Sequence, residues 1–215
     1  MKKLVLFDFD GVLVRSNHCH IKNIRDAFYD LKVPLEASDA DIVKHFGKHY
    51  TVIIPELLEK KSRGTEIERK IGEKMREGFE KESFSDCFEL IEGLPEYLEK
   101  LEKKGYGLAI ASGNSAYVLE RWLSKLKIRK YFKLVIGSDK VKNGKPDPEM
   151  VHAAAKYFKV ALKDIVYVGD TKNDVLMAKN AGCVCAVVLT GVLSRKEALL
   201  LDVDIIAEDV TKIDL

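Results

Sequence analysis

Two carboxylates near the start of the chain have the type and spacing needed for chemistry on a shared ligand. Asp8 and Asp10 directly follow the apolar run Leu4–Phe7, and Gly11 then permits a sharp turn. Such a run predicts a short buried strand, whose alternate side chains point to the same side. We expect both carboxylates to face one ligand beyond the strand. Two close carboxylates raise each other's pKa unless a cation neutralises them or one holds a proton for acid–base catalysis.

A hydroxyl and a glycine follow a second apolar run. Ser112, Gly113, Asn114 and Ser115 follow Gly107–Ala111, and a helical pattern comes next. Together these features form a cradle for an anion such as phosphate, because free N–H groups and the positive end of the helix dipole favour negative charge. The alternative is that Ser112 to Ser115 only cap the helix.

Lys145 lies between a glycine and a proline, just before another helical pattern. A lysine on a stiff loop can hold its ammonium against phosphate oxygens as a point charge. Most surface lysines have no such role, so Lys145 indicates a phosphate site only together with the other motifs.

Two more carboxylates follow the apolar run Ile165–Val168. Asp170 lies at the turn, and Asp174 lies four residues further on, where a helix starts. Mg²⁺ prefers oxygen ligands and usually takes one or two carboxylates together with waters and phosphate oxygens. Asp174 could equally cap the helix.

The ordered set of motifs resembles the haloacid dehalogenase superfamily of phosphohydrolases. The four motifs read DFDGV, Ser112, Lys145 within KPDPE, and GDTKND, and the resemblance spans nearly the whole chain. It implies that Asp8 is a nucleophile that forms an aspartyl-phosphate, and that Asp10 protonates the leaving alcohol and then activates water.

The resemblance also implies a cofactor and its ligands. Mg²⁺ would bind the carboxylates of Asp8 and Asp170 and the backbone carbonyl of Asp10. Asp174 would hold a metal-bound water or Lys145. Four residues would receive the phosphate oxygens: Ser112, Gly113, Asn114 and Lys145.

The elements that must position these motifs alternate between strands and helices. Strand-like apolar runs recur at Leu4–Phe7, Gly107–Ala111, Leu134–Ile136, Ile165–Val168 and Cys185–Leu189, with a weaker one at Val203–Ile206. Helical periods lie between most of them, at Leu94–Lys104, Tyr117–Leu126, Met150–Phe158 and Asp174–Ala181. This alternation predicts an α/β fold, with a Rossmann-like parallel sheet covered by helices on both faces.

A long helical insertion interrupts this alternation. It contains four helical segments, Ile21–Leu31, Ala40–Phe46, Val52–Leu58 and Ile67–Phe79. We therefore expect a core domain of residues 1–14 and 88–215 and an all-α cap domain of residues 15–87. The insertion looks like the cap of the phosphoglycolate phosphatase and β-phosphoglucomutase branch.

Three residues of the expected cap are candidates for substrate contact. His20 lies ten residues after Asp10, where the β-phosphoglucomutase branch also has a histidine, although a structural role would explain it as well. Lys48 and His49 lie in the loop where the mutase branch grips a second phosphate with an arginine. Arginine is absent from this loop, which favours a simple phosphatase, although Lys48 could act as a weaker, monodentate grip. The alternative is that Lys48 and His49 are only solvated.

Composition narrows the partners and the location. The net charge of +2 over 215 residues gives no indication of nucleic acid or an anionic membrane, and no apolar stretch approaches the ~20 residues of a membrane helix. Cys19, Cys87, Cys183 and Cys185 lack metal-ligand spacing, which fits a reducing cytoplasm. A Lys- and Glu-rich composition without glutamine hints at a thermophile.

The sequence therefore predicts a Mg²⁺-dependent phosphatase, monomeric or homodimeric, that acts on a small phosphorylated metabolite such as phosphoglycolate or a sugar phosphate. A phosphosugar mutase is the alternative among enzymes. A non-catalytic metabolite-binding protein on the same fold is the alternative from another class. The pair Asp8 and Asp10 argues against it, since a binding protein needs no nucleophile and acid.

Overall fold

The computed structural model describes residues 3–47, 50–58 and 65–215. It divides into two compact units, one of Met1–Arg15 with Glu89–Leu215 and the other of Ser16–Phe88. The second unit begins and ends one residue later than the cap segment 15–87 expected from the sequence.

The first unit is built on a parallel sheet. The strands along the whole chain are β1 (Leu4–Phe7), β2 (Val14–Arg15), β3 (Glu89–Leu90), β4 (Gly107–Ala111), β5 (Leu134–Ile136), β6 (Ile165–Gly169), β7 (Val184–Val188) and β8 (Ile205–Ala207). Six of them form the sheet in the order β5-β4-β1-β6-β7-β8. The predicted α/β class is thereby confirmed, and the strand ends differ from the predicted ones by at most two residues.

Strand β1 lies inside the sheet, at the point where the strand order reverses. The chain first builds β4 and β5 on one side of β1 and then returns to build β6, β7 and β8 on the other. Phe7 is in register with Ile110 of β4 and with Val168 of β6. The residues that follow these three strands therefore meet at the switch point, where open α/β sheets bind ligands.

Helices cover both faces of the sheet. Those of this unit are α5 (Leu94–Lys103), α6 (Ala116–Lys125), α7 (Glu149–Phe158), α8 (Lys172–Ala181) and α9 (Arg195–Leu200). Leu6 is buried in one core cluster with Met150 of α7 and Val175 of α8. Phe7 points to the opposite face, where its ring packs edge-on against Phe132. Burial on both faces explains why the strands read as continuous apolar runs.

The second unit contains only helices among its described residues. These are α1 (Asn17–Asp30), α2 (Asp39–Val43), α3 (Tyr50–Leu57) and α4 (Glu66–Glu80), followed by a 3₁₀ helix at Glu82–Cys87. Its core includes Phe28, Ile42, Ile54 and Ile71. Where the chain leaves and re-enters the first unit, β2 pairs antiparallel with β3.

A disulfide joins Cys19 to Cys87 within the helical unit, with a Cα–Cα distance of 6.1 Å and a sequence separation of 68 residues. No sequence pattern indicates this pairing, because the two cysteines meet only through the packing of α1 against the end of the unit. Cys183 and Cys185 are unpaired and buried in one core cluster. Burial raises the pKa of Cys183 to about 11 and that of Cys185 to about 12, so both stay protonated thiols.

No helix in the described ranges has the length and apolar character needed to cross a membrane.

Candidate active site

Asp8 directly extends β1 and is the centre of the site. Its backbone N–H donates to Val168 O at 2.8 Å, which continues the pairing with β6. Its carboxylate is almost completely buried: Oδ1 accepts the Phe9 N–H at 2.7 Å, and Oδ2 lies 2.9 Å from Lys145 Nζ. The strand thus delivers a carboxylate whose orientation is fixed from both sides.

Lys145 is buried between two carboxylates. Its Nζ lies 2.9 Å from Asp8 Oδ2 and 2.7 Å from Asp174 Oδ1, and the peptide bond that follows it, to Pro146, is cis. Burial alone would lower the pKa of the ammonium, but the two carboxylates outweigh burial and raise it. The ammonium therefore stays charged, and two of its three N–H groups are engaged.

Asp174 both caps a helix and holds the lysine. Its Oδ2 accepts the Thr171 N–H at 3.0 Å and the Thr171 hydroxyl at 2.5 Å, and its own N–H donates to Thr171 Oγ1, which completes a capping box at the start of α8. Its Oδ1 accepts from Lys145 and from the Tyr167 hydroxyl, each at 2.7 Å. The two roles left open by the sequence therefore fall to different oxygens of one carboxylate.

Asp170 is held by close backbone contacts. It is 2% exposed, and its Oδ2 accepts the Val192 N–H at 2.9 Å. A Cβ on Gly191 would lie 1.9 Å from this oxygen, and a Cβ on Gly11 would lie 2.5 Å from it, so only glycine fits at either position. Its other oxygen, Oδ1, is buried and has no hydrogen-bond partner among the described residues.

The three buried carboxylates carry more negative charge than one ammonium can neutralise. Burial, together with the neighbouring Asp174, raises the pKa of Asp8 to about 7 against the opposing effect of Lys145. Burial and the two neighbouring carboxylates also raise the pKa of Asp170 well above its usual range. For Asp174, burial is outweighed by Lys145, Thr171 and Tyr167, which hold its pKa below the usual value.

These features fit a divalent cation with oxygen ligands, such as Mg²⁺. Oxygens of Asp8, Asp170 and Asp174 lie within 4.8 Å of one another, and the buried Asp170 Oδ1 lacks a partner. A cation would supply the missing positive charge. Each oxygen of Asp174 accepts at least two hydrogen bonds. Within the described ranges, each oxygen of Asp8 has one such contact and Asp170 Oδ1 has none, so Asp8 and Asp170 are the better ligands.

Ser112 follows β4 at the same edge of the sheet. It is 1% exposed, and its Oγ accepts the Asn114 N–H at 3.3 Å. The cap of α6 is instead Ser115, whose Oγ accepts the Val118 N–H at 3.4 Å. Capping therefore does not explain Ser112, and a Cβ on Gly113 would meet no atom within 4 Å, so that position is open.

Asp10 is linked to the same loop. The side-chain amide of Asn114 donates to Asp10 Oδ2 at 2.5 Å. Asn114 is a predicted phosphate-binding residue, and no sequence pattern indicates this contact between residues 104 positions apart.

His20 lies in an aromatic cluster of the helical unit. Its ring centroid is 5.4 to 6.4 Å from those of four phenylalanines: Phe46, Phe79, Phe84 and Phe88. These contacts give His20 a packing role, and its contact with substrate stays a prediction. Lys48 and His49 lie outside the described residues.

Two parts of the site were missed in the sequence. Tyr167 gave no signal, because a tyrosine within an apolar strand reads as core. The Thr190-Gly191-Val192 loop supplies the amide that holds Asp170, and the Thr190 hydroxyl donates to Gly11 O at 2.5 Å. Its signal was a Thr-Gly pair after an apolar run, at the carboxyl end of a predicted strand.

Comparison with known proteins places this geometry in a family. The sequence model of the family described as haloacid dehalogenase-like hydrolase matches residues 5–188. The chain belongs to this family. The resemblance seen in the sequence motifs is therefore confirmed.

Curated relatives of the chain are phosphatases. A protein named pyrophosphatase PpaX from Listeria monocytogenes serotype 4b is 28% identical over 180 residues, covering 82% of this chain and 78% of the relative. The phosphoglycolate phosphatase of Escherichia coli K12 is 28% identical over 197 residues, covering 83% of this chain and 78% of that relative. The prediction of an enzyme, a haloacid dehalogenase-like phosphatase, is confirmed at this level.

Solved structures share the fold. A Bacteroides fragilis protein assigned to the haloacid dehalogenase-like hydrolases superposes with a TM-score of 0.89 at 21% identity, covering 99% of each chain. A hydrolase from Pseudomonas syringae gives a TM-score of 0.84 at 22% identity, covering 98% of this chain and 95% of the other.

Proposed function

We propose that the chain is a Mg²⁺-dependent phosphatase that hydrolyses a small phosphorylated metabolite through an aspartyl-phosphate on Asp8. The observation that carries this proposal is the buried set of Asp8, Lys145 and Asp170, with one carboxylate oxygen left without a partner. Such a set suits an anionic nucleophile that must approach an anionic substrate. The names of the curated relatives support the reaction class.

In the first half-reaction, a carboxylate oxygen of Asp8 attacks phosphorus. The bond from phosphorus to the ester oxygen breaks, and Asp10 gives its proton to the departing alcohol. Lys145 and Ser112 receive the phosphate oxygens, on which charge develops. Mg²⁺, held by Asp8, Asp170 and the backbone carbonyl of Asp10, would neutralise charge between nucleophile and substrate.

In the second half-reaction, water attacks the phosphorus of the aspartyl-phosphate. Asp10 takes a proton from this water, the bond from phosphorus to Asp8 breaks, and inorganic phosphate leaves. The hydrogen bond from Asn114 keeps Asp10 beside the phosphate cradle during both proton transfers.

Pyrophosphate is a second candidate substrate, because several curated relatives are named pyrophosphatases. Phosphate release should be measured from phosphoglycolate, hexose phosphates and pyrophosphate, each with Mg²⁺ and with excess chelator. We expect Mg²⁺-dependent release from at least one of them. Full activity in excess chelator would contradict the proposal.

The same panel separates the other candidates. A mutase would convert a hexose phosphate into its isomer faster than it releases phosphate. A protein that binds these compounds in the presence of Mg²⁺ and turns none of them over would be a binding protein on this fold.

A further inference from the structure

Tyr167 lies beneath the site, at a position that no motif assigns. It belongs to β6, is fully buried, and its hydroxyl donates to Asp174 Oδ1 at 2.7 Å. The same hydroxyl lies 3.3 Å from the carbonyl of Ala111, the last residue of β4. The ammonium of Lys145 lies 5.5 Å from the centroid of its ring, within the range of cation–π attraction.

One side chain therefore contacts three parts of the site: the end of β4, the start of α8 and the lysine. Burial and the carboxylates of Asp174 and Asp8 raise the pKa of the Tyr167 hydroxyl well above its usual value, so it acts as a neutral donor. A buried hydrophobic strand position would be filled equally well by phenylalanine, which lacks this donor.

We propose that Tyr167 is a positioning residue that keeps Lys145 against Asp8. Asp174 Oδ1 accepts both the ammonium and the Tyr167 hydroxyl. Without the Tyr167 hydroxyl, Asp174 Oδ1 loses one of its two hydrogen-bond donors and draws the Lys145 ammonium away from Asp8. The inference rests on the proposed phosphatase function, because the third N–H of Lys145 is then the one that meets the phosphate.

The consequence concerns the chemical step more than binding. The ammonium of Lys145 interacts most strongly with the phosphate oxygens in the transition state, where charge develops on them. A displaced ammonium therefore lowers kcat more than it raises KM. A structural hydroxyl would instead affect stability and leave kcat unchanged.

The test compares Tyr167→Phe with Tyr97→Phe. Tyr97 is buried in the same unit, and its hydroxyl donates to Ile213 O at 2.9 Å, so both variants lose one hydroxyl and one buried hydrogen bond. With p-nitrophenyl phosphate and Mg²⁺, we expect Tyr167→Phe to lower kcat about tenfold and change KM by less than about twofold. Tyr97→Phe should leave both constants unchanged, while both variants lose thermal stability.

Crystal structures of the two variants separate this inference from the proposed function. We expect Lys145 Nζ to leave its 2.9 Å contact with Asp8 in Tyr167→Phe and to keep it in Tyr97→Phe. If the wild-type protein releases no phosphate, the proposed function fails and these structures alone decide the positioning role. Wild-type kcat in Tyr167→Phe, or an unmoved ammonium, would overturn that role.

Discussion

At the scale of single residues, the site depends on how closely the backbone approaches Asp170. Gly11 and Gly191 leave no room for a side chain beside its carboxylate, and the Val192 N–H fixes one of its oxygens. The other oxygen is thereby left pointing at the place where we expect Mg²⁺. Two glycines and one amide thus position the carboxylate that we propose as a Mg²⁺ ligand.

Gly191→Ala should weaken Mg²⁺ binding, because the new Cβ would lie 1.9 Å from Asp170 Oδ2 and displace the carboxylate. We expect the Mg²⁺ concentration for half-maximal activity to rise by about tenfold or more, which corresponds to ~1.4 kcal/mol of lost binding free energy. Titration of phosphatase activity with Mg²⁺ measures this directly.

Gly144→Ala is the matched control, since a Cβ at Gly144 meets no atom within 4 Å. It should keep the wild-type Mg²⁺ dependence. The same Mg²⁺ dependence in Gly191→Ala and wild type would show that Asp170 does not hold the metal.

At the scale of elements, helix caps connect stability to chemistry. The capping box of α8 pairs Thr171 with Asp174, and that of α9 pairs Ser194 with Glu197. Only the first box contains a residue that contacts Lys145. The capping box of α8 therefore stabilises its helix and also holds the residue that contacts Lys145, whereas the capping box of α9 has no such contact.

Thr171→Ala and Ser194→Ala should each lower the free energy of unfolding by about 1 kcal/mol, since each removes an N-cap side chain. Only Thr171→Ala should also lower kcat, because the Thr171 hydroxyl donates to Asp174 at 2.5 Å. Chemical denaturation and steady-state kinetics on both variants measure the two effects. Equal kcat values in the two variants would show that the Thr171 cap has no effect on the proposed role of Lys145.

The elements were largely predictable and some of their contacts were not. Parallel strands buried on both faces are apolar throughout, so their positions could be read directly from the sequence. The motif residues follow strand ends, which placed Asp8, Ser112 and Asp170 at one edge. The contacts of Tyr167 and of Val192 depend on tertiary packing, and no local pattern of residues encodes them.

At the scale of the whole molecule, the chain is one α/β unit interrupted by one helical unit. The Cys19–Cys87 disulfide joins the first helix of the insertion to its last residues. The bond closes a loop that contains almost the entire helical unit. Such a cross-link stabilises mainly by reducing the conformational freedom of the unfolded chain.

Removal of this disulfide should therefore lower the free energy of unfolding. For a closed loop of 68 residues, the chain-entropy relation gives about 4 kcal/mol. Unfolding of the wild type with and without dithiothreitol, compared with the Cys19→Ser/Cys87→Ser double variant, measures the effect. Reductant should not change the double variant, and an unchanged wild type would mean that the two thiols are unpaired in solution.

The phosphatase activity of Asp8→Asn shows whether Asp8 is the nucleophile. The amide keeps the shape of the carboxylate but is a poor nucleophile, so we expect activity to fall by more than about 10³-fold with the fold intact by circular dichroism. Asp214→Asn, the same change at a side chain that is 93% exposed, should retain wild-type activity. An Asp8→Asn protein that keeps more than about a tenth of wild-type activity would contradict the covalent mechanism.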